Sequence, residues 1–127
     1  MAPEIRFRTG TLLIWRPRGV VDNATIARYL AFLEQVEAEA PEPFARFNDM
    51  SLVTGATVGY GDVSAHAMRR RSFTSSFLRE SVQVAFYATN PMTFGLARMY
   101  QNLLDTAKTQ VRVFASLEAA AAWLEVE

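Results

Sequence analysis

Fold class turns on one stretch, Val82-Gln83-Val84-Ala85-Phe86-Tyr87-Ala88-Thr89-Asn90-Pro91. Up to Ala88 it is a nearly continuous apolar run, short and rich in β-branched and aromatic residues, so it reads as a central strand covered on both faces. Asn90-Pro91 then opens a helix. The asparagine side chain accepts from a free first-turn amide, and proline fits the first helical position, where its missing N–H is not needed. Leu96, Met99, Tyr100, Leu103, Leu104 and Ala107 follow at three- and four-residue spacings and trace one buried stripe. A strand feeding such a helix is half of a parallel crossover unit.

The same alternation extends in both directions. Gln110 to Phe114 supplies a final strand, and Ser116-Leu117-Glu118 starts a last helix with Ala120, Ala121 and Leu124 facing inward. Upstream, Asp62 or Ser64 is expected to cap a helix running to about Arg79, with Ala65, Met68, Ser72 or Phe73, and Phe77 inward. Residues 52 to 62 before it read as a loop whose Gly55, Gly59 and Gly61 permit positive φ angles and close approach of another group. Phe44 to Met50 is a short strand with Phe44 and Phe47 packing. The helix before that begins at an Asp22 or Asn23 cap and buries Ile26, Tyr29, Leu30, Leu33 and Val36. It stops near Ala40, because Pro41 and Pro43 cannot continue its hydrogen bonds. Residues 4 to 9 alternate Ile5 and Phe7 with Arg6, Arg8 and Thr9 as an edge strand. With a tight turn at Thr9-Gly10-Thr11 and the apolar run Leu12 to Trp15, they make a β-hairpin. The order is therefore β-β-α-β-α-β-α-β-α, an α/β fold in one domain over residues 1 to 127, with a mixed, mostly parallel sheet covered by helices.

Composition narrows the chemistry. The chain has 127 residues, 50% hydrophobic and 20% charged, long enough for a core without disulfides or a structural metal. It has no cysteine, which excludes thiolate catalysis and cysteine-type zinc sites, and one histidine, His66, which excludes a multi-histidine metal site. No cofactor or metal is expected. Thirteen basic residues balance 13 acidic ones, against the cationic excess of a general nucleic-acid binder. The start lacks a secretory signal, and no apolar run is long enough to span a bilayer, so a cytoplasmic location is expected.

The segments Val82-Gln-Val-Ala-Phe-Tyr-Ala, Phe94-Gly-Leu-Ala-Arg-Met-Tyr-Gln and Val111-Arg-Val-Phe-Ala-Ser-Leu-Glu-Ala-Ala-Ala-Ala-Trp-Leu resemble the bacterial SpoIIAA-like proteins, relatives of the STAS domain. The resemblance implies a four- or five-stranded mixed sheet with helices mostly on one face. It also implies kinship with anti-sigma-factor antagonists and, more distantly, with Sec14-type lipid-binding domains. In those antagonists a strand ending in Asp-Leu-Ser is followed by a loop and a serine that a partner kinase phosphorylates. Asp49-Met50-Ser51 matches the strand end, whereas Val53-Thr54-Gly55-Ala56-Thr57-Val58 stands where the Asp-Ser-Ser-Gly signature would fall. Thr57 is the nearest hydroxyl there, and Ser64 is the other candidate acceptor.

These readings lead to a non-enzymatic STAS-like module that contacts a regulatory protein through Asp49, Ser51, Thr54, Thr57 and Ser64, or pairs with itself as a homodimer. One alternative is a small apolar or anionic, lipid-like ligand held between the 52 to 64 loop and the 89 to 95 turn, with Gly55, Gly59, Asn90 and Thr93 as candidates. Phe73, Phe77, Phe94, Tyr100 and Trp123 are then either ordinary core or the wall of such a pocket. Another alternative is hydrolysis by His66, which requires Asp62, Glu80 or another acid within hydrogen-bond reach. Arg69-Arg70-Arg71 diverge around a helix by about 100° per residue, so solvation or ion pairing is their expected role, with an acidic partner as the alternative.

Overall fold

The elements follow in the order β1 (Ile5–Arg8), β2 (Leu12–Trp15), β3 (Gly19–Val21), α1 (Asn23–Glu39), β4 (Ala45–Asp49), β5 (Val53–Ala56), α2 (Tyr60–Phe77), β6 (Val82–Tyr87), α3 (Pro91–Leu104), β7 (Thr109–Phe114) and α4 (Leu117–Leu124). They come from a computed structural model that describes residues 5–8, 12–39, 44–77, 82–106 and 109–124, without the side chains of 5–8 and 73–77. The turn at Thr9-Gly10-Thr11, Pro41, Pro43, Arg79, Glu80 and Ala107 lie outside the described residues, as do the side chains of Phe73 and Phe77.

A mixed five-stranded sheet runs in the order β1-β2-β4-β6-β7, with β1 antiparallel at the edge and the remaining neighbours parallel. The order follows from burial on both faces, because β4 and β6 sit in the middle and carry almost no exposed position. Period two sorts their side chains. Leu12, Ile14, Phe47 and Ala85 pack against Ala120 and Leu124 of α4. Leu13 and Trp15 point the other way, onto Tyr29, Leu30 and Leu33 of α1, and Val84, Phe86 and Val111 meet Ala97 and Leu104 of α3. Helix α2 packs on α3 and α1. Each fully buried leucine or valine in these layers contributes about 1.5–3 kcal/mol.

The helix starts expected at Asp22, Asn90 and Ser116 are present. Asp22 Oδ1 accepts from the Thr25 amide at 2.7 Å, Asn90 Oδ1 from the Thr93 amide at 2.9 Å, and Ser116 Oγ from the Ala119 amide at 3.2 Å. Two expectations need correction. Residues 52 to 62 are not one loop, since Val53–Ala56 pairs in parallel with Gly19–Val21 as a separate two-stranded sheet. Gly55 lies against the partner strand, where a Cβ would stand in ordinary contact, 3.5 Å from Val20 Cγ2. Among the described glycines the positive φ belongs to Gly19, at 71°, where the chain enters this ribbon. The second helix also starts earlier than expected, at Tyr60, because the Asp62 carboxylate accepts from the Gly59 amide at 3.1 Å and closes the first turn. Ser64 is consequently a half-buried interior position of α2. No helix among the described residues is long and apolar enough to cross a membrane.

Candidate functional site

The site grows from a polar surprise in a central strand. On β4, Ala45 and Phe47 take the α4 side, leaving Arg46 and Asn48 facing α1 and the interior, each 3% exposed. A guanidinium buried this deeply requires a carboxylate. The stripe of α1 provides it: 26, 30, 33 and 37 fall at spacings of four, three and four, so Glu37 continues the face that buries Leu30 and Leu33. On α2 the series Val63, Ala67 and Arg70 runs the same way and brings Arg70, fully buried, to the other side of Glu37. The inward stripe expected on α2 is therefore wrong. Ala65, Met68 and Ser72 are exposed, and the buried face carries Val63, His66, Ala67 and Arg70. An arginine outcompetes the apolar residues for that face because its charge is neutralised there.

Arg70 grips Glu37 with two parallel bonds, Nη1 to Oε1 at 2.7 Å and Nη2 to Oε2 at 3.0 Å, and Arg46 Nη2 donates to the same Oε2. Glu34, one turn earlier, lies 3.6 Å from Arg70 Nη1 and takes Arg69 Nη2 at 2.6 Å near the surface. Burial lowers the Arg46 pKa, with Glu37 opposing and Arg70 reinforcing the fall. At Arg70 the burial penalty is outweighed by hydrogen bonding to Glu37 and by its charge, so the pKa rises. Both stay protonated, as arginine does in proteins. Burial also pushes the Tyr29 and Tyr100 phenols up, keeping them neutral donors.

Beside this network lies a cavity of about 70 Å³ between the sheet and α1, α2 and α3. At about 30 Å³ per water it has room for roughly two water molecules. Its wall is mostly apolar, including Val21, Leu33, Met50, Val84 and Phe86, with a polar patch of Trp15, Tyr29, Arg46 and Asn48. Trp15 stacks flat on Tyr29, ring centroids 4.0 Å apart, and the Tyr29 hydroxyl donates to Asn48 Oδ1 at 3.3 Å. Trp15 Nε1 and Arg46 Nε are buried and have no partner among the described residues. Each such donor costs about 1–3 kcal/mol when left unmade. The half-buried liners Ile26, Val58, Leu96 and Tyr100 mark the side on which the cavity approaches solvent.

No known family profile and no curated protein matches the sequence. Solved structures do match across nearly the whole chain. A DUF3478-family protein with a SpoIIAA-like fold from Shewanella loihica PV-4 superimposes with a TM-score of 0.59 at 15% identity, over 97% of this chain and 92% of that one. The anti-sigma factor antagonist SpoIIAA in its unphosphorylated form gives a TM-score of 0.58 at 10% identity, over 98% of each chain. The fold is SpoIIAA-like.

Within this SpoIIAA-like frame the candidate residues separate into groups. Asp49 is tied to Arg16 at 3.3 Å, and its Oδ1 accepts from the Ser51 amide at 2.9 Å, so the strand end is a closed turn. Thr54 and Thr57 are exposed on and just after β5, with the Thr57 amide bonded to the Val21 carbonyl at 3.0 Å. Gly55, Gly59, Asn90 and Thr93 do not line the cavity, which lies deeper, behind Val58 and Val63. Asn90 and Thr93 instead close the first turn of α3, and the Thr93 hydroxyl donates to the Asn90 carbonyl at 3.2 Å. Tyr100 lines the cavity, Phe94 is exposed, and Trp123 packs on Phe114 on the α4 face. Nε2 of His66 meets Asn23 Oδ1 at 2.6 Å, an amide in place of the acid that hydrolysis would need. Burial holds the imidazole below its ordinary pKa, with Arg69 adding to the shift and Asp62 opposing it.

Sequence reasoning passed over Trp15, Glu37, Arg46 and Asn48. Two signals pointed to them: a carboxylate at a buried position of an amphipathic helix, and an Arg-x-Asn pair on one face of a strand short enough to be central.

Proposed function

We propose that this chain is a non-catalytic, SpoIIAA-like binding module whose ligand is a small, largely apolar molecule held between the sheet and α1, α2 and α3. The observation that carries the reading is a mostly apolar cavity between the sheet and three helices, lined by Trp15, Leu33, Met50 and Val84 among others. Protein interiors leave few spaces larger than a water, and a wall facing such a space forgoes dispersion contacts. A mostly apolar wall that also carries Tyr29, Arg46 and Asn48 is the arrangement of a small-molecule site, in which a few polar groups fix orientation. The amide partner of His66 supports a module without acid–base chemistry. Xenon-pressurised crystals test the reading. A xenon peak among Trp15, Leu33, Met50 and Val84 is expected, and a closed interior with no peak would overturn it.

A second reading, contact with a regulatory protein, is favoured by Val20, Leu52 and Tyr60, which are 59%, 46% and 62% exposed on and beside the β3–β5 ribbon. An exposed apolar group of this kind is a feature of interaction surfaces. A structural neighbour that is an anti-sigma factor antagonist adds to it. Asp49, Ser51 and Thr54 would border this surface, with exposed Thr57 as the first phosphate acceptor and half-buried Ser64 as the second. A cytoplasmic location and a homodimer through β1 belong to the same reading. Val20→Asp with Leu52→Asp is expected to release a partner that the native protein retains, and undiminished retention would count against this surface.

A further inference from the structure

We infer that Gln101, Asp105 and Thr106 form a guard along the outer edge of β7, which keeps that strand from pairing with β7 of a second copy of this chain. The described sheet ends in β7, and an edge strand presents a row of N–H and C=O groups that a further strand can adopt. Register identifies those groups. The Ala88 amide donates to the Phe114 carbonyl at 3.0 Å, so residue 114, and with it 112 and 110, turns its backbone toward β6, while Thr109, Val111 and Val113 turn theirs outward.

The outward groups of Thr109 and Val111 are already taken. The Thr109 amide donates to Thr106 Oγ1 at 3.2 Å, and its carbonyl accepts from the Thr106 amide at 2.8 Å. The Val111 amide donates to Asp105 Oδ1 at 3.0 Å, and its carbonyl accepts from Gln101 Nε2 at 2.9 Å. Arg112 closes the edge from the α4 side. Its guanidinium lies over the Trp123 ring, and Nη1 donates to the Val111 carbonyl at 3.0 Å and reaches Asp105 Oδ2 at 3.5 Å. Thr109 and Val111 are accordingly 1% and 0% exposed, although their strand stands at the edge of the sheet. An added strand needs the same four backbone groups that the guard holds. The shielded segment, Thr109-Gln110-Val111-Arg112-Val113-Phe114, is rich in β-branched residues, a composition that pairs readily once its edge is bare. A second copy fits that edge because an antiparallel pair about a two-fold axis sets Val111 against Val111 and Thr109 against Val113, outward residues throughout.

Sedimentation equilibrium of the native protein and of Gln101→Ala with Asp105→Ala tests the guard. The double variant is expected to self-associate at least about tenfold more tightly than the native protein, as the freed backbone groups find partners across the axis. Adding Val113→Pro removes an outward N–H and leaves the pairing with β6 intact, so it is expected to return self-association to the native value. Gln101→Glu keeps the length of the side chain and sets an acceptor against the Val111 carbonyl. It should shift self-association in the same direction by a smaller factor, and it carries the test should the double variant fail to fold. Self-association unchanged in both variants, or a tightened association that survives Val113→Pro, would overturn the inference.

Discussion

Replacing Glu37 by glutamine preserves shape and removes the negative charge that Arg46 and Arg70 share. Those two arginines are 3% and 0% exposed, so water does not compensate the loss. Breaking one buried pair in this way costs about 3–5 kcal/mol. Here two guanidiniums lose their partner, but Arg70 keeps Glu34 at 3.6 Å, which puts the expected cost near the middle of that range, about 4 kcal/mol. Domains are stable by only about 5–15 kcal/mol, so Glu37→Gln removes a quarter or more of the total. Urea unfolding followed by circular dichroism measures it. With a slope of about 1.5 kcal/mol per molar the midpoint falls by roughly 2–3 M. Arg69→Gln is the internal control, because Arg69 is 45% exposed and its pair with Glu34 contributes about 1 kcal/mol or less. The triple substitution Glu37→Leu, Arg46→Met, Arg70→Met is expected to recover most of the loss, as apolar packing replaces the network. A Glu37→Gln protein within about 1 kcal/mol of native, or one no worse than Arg69→Gln, would refute the placement of a desolvated charge cluster beneath α1.

Asn90→Ala removes the acceptor for the Thr93 amide and is expected to cost about 1 kcal/mol in the same urea assay, mostly as loss of α3. Gly19→Ala meets no atom within 4 Å, so its cost of about 1–2 kcal/mol arises from the left-handed backbone alone, and a neutral result would contradict a φ of 71°. His66 is held below its ordinary value of 6.5 in the fold, so the unfolded chain takes up its proton first as the pH falls. Stability should therefore be fully present above about pH 6.5 and decline below it until the lower native pKa is passed. Comparing unfolding midpoints at pH 7.5 and 5.5, His66→Gln should lose less on acidification than the native protein, and an identical loss would oppose the assignment.

The strand and helix order was legible because most elements announce themselves by period and caps. The run Val82 to Ala88, the Asn90-Pro91 start and the Ser116 cap all stand as read. The β3–β5 ribbon was hidden because three or four residues with a glycine carry too little pattern to outweigh a loop reading. The frame of α2 was misread for a different reason: an apolarity rule cannot place Arg70 inside until Glu37 and Arg46 are known to meet it there. The cavity wall joins β2, β4, α1 and α3, contacts between segments far apart in the chain that no local spacing encodes. Asn90 and Thr93 were legible as a cap, and a cap is the role in which the fold uses them.

Trp15 and Trp123 provide paired reporters on opposite faces of the sheet, one lining the cavity and the other packed on Phe114. A ¹H–¹⁵N titration with xenon, with the indole signals assigned through Trp15→Phe, therefore interrogates the site directly. The Trp15 indole resonance is predicted to move in a saturable way while that of Trp123 stays still. Movement of Trp123 alone, or two stationary indoles under xenon pressure, would contradict an apolar cavity between the sheet and its helices.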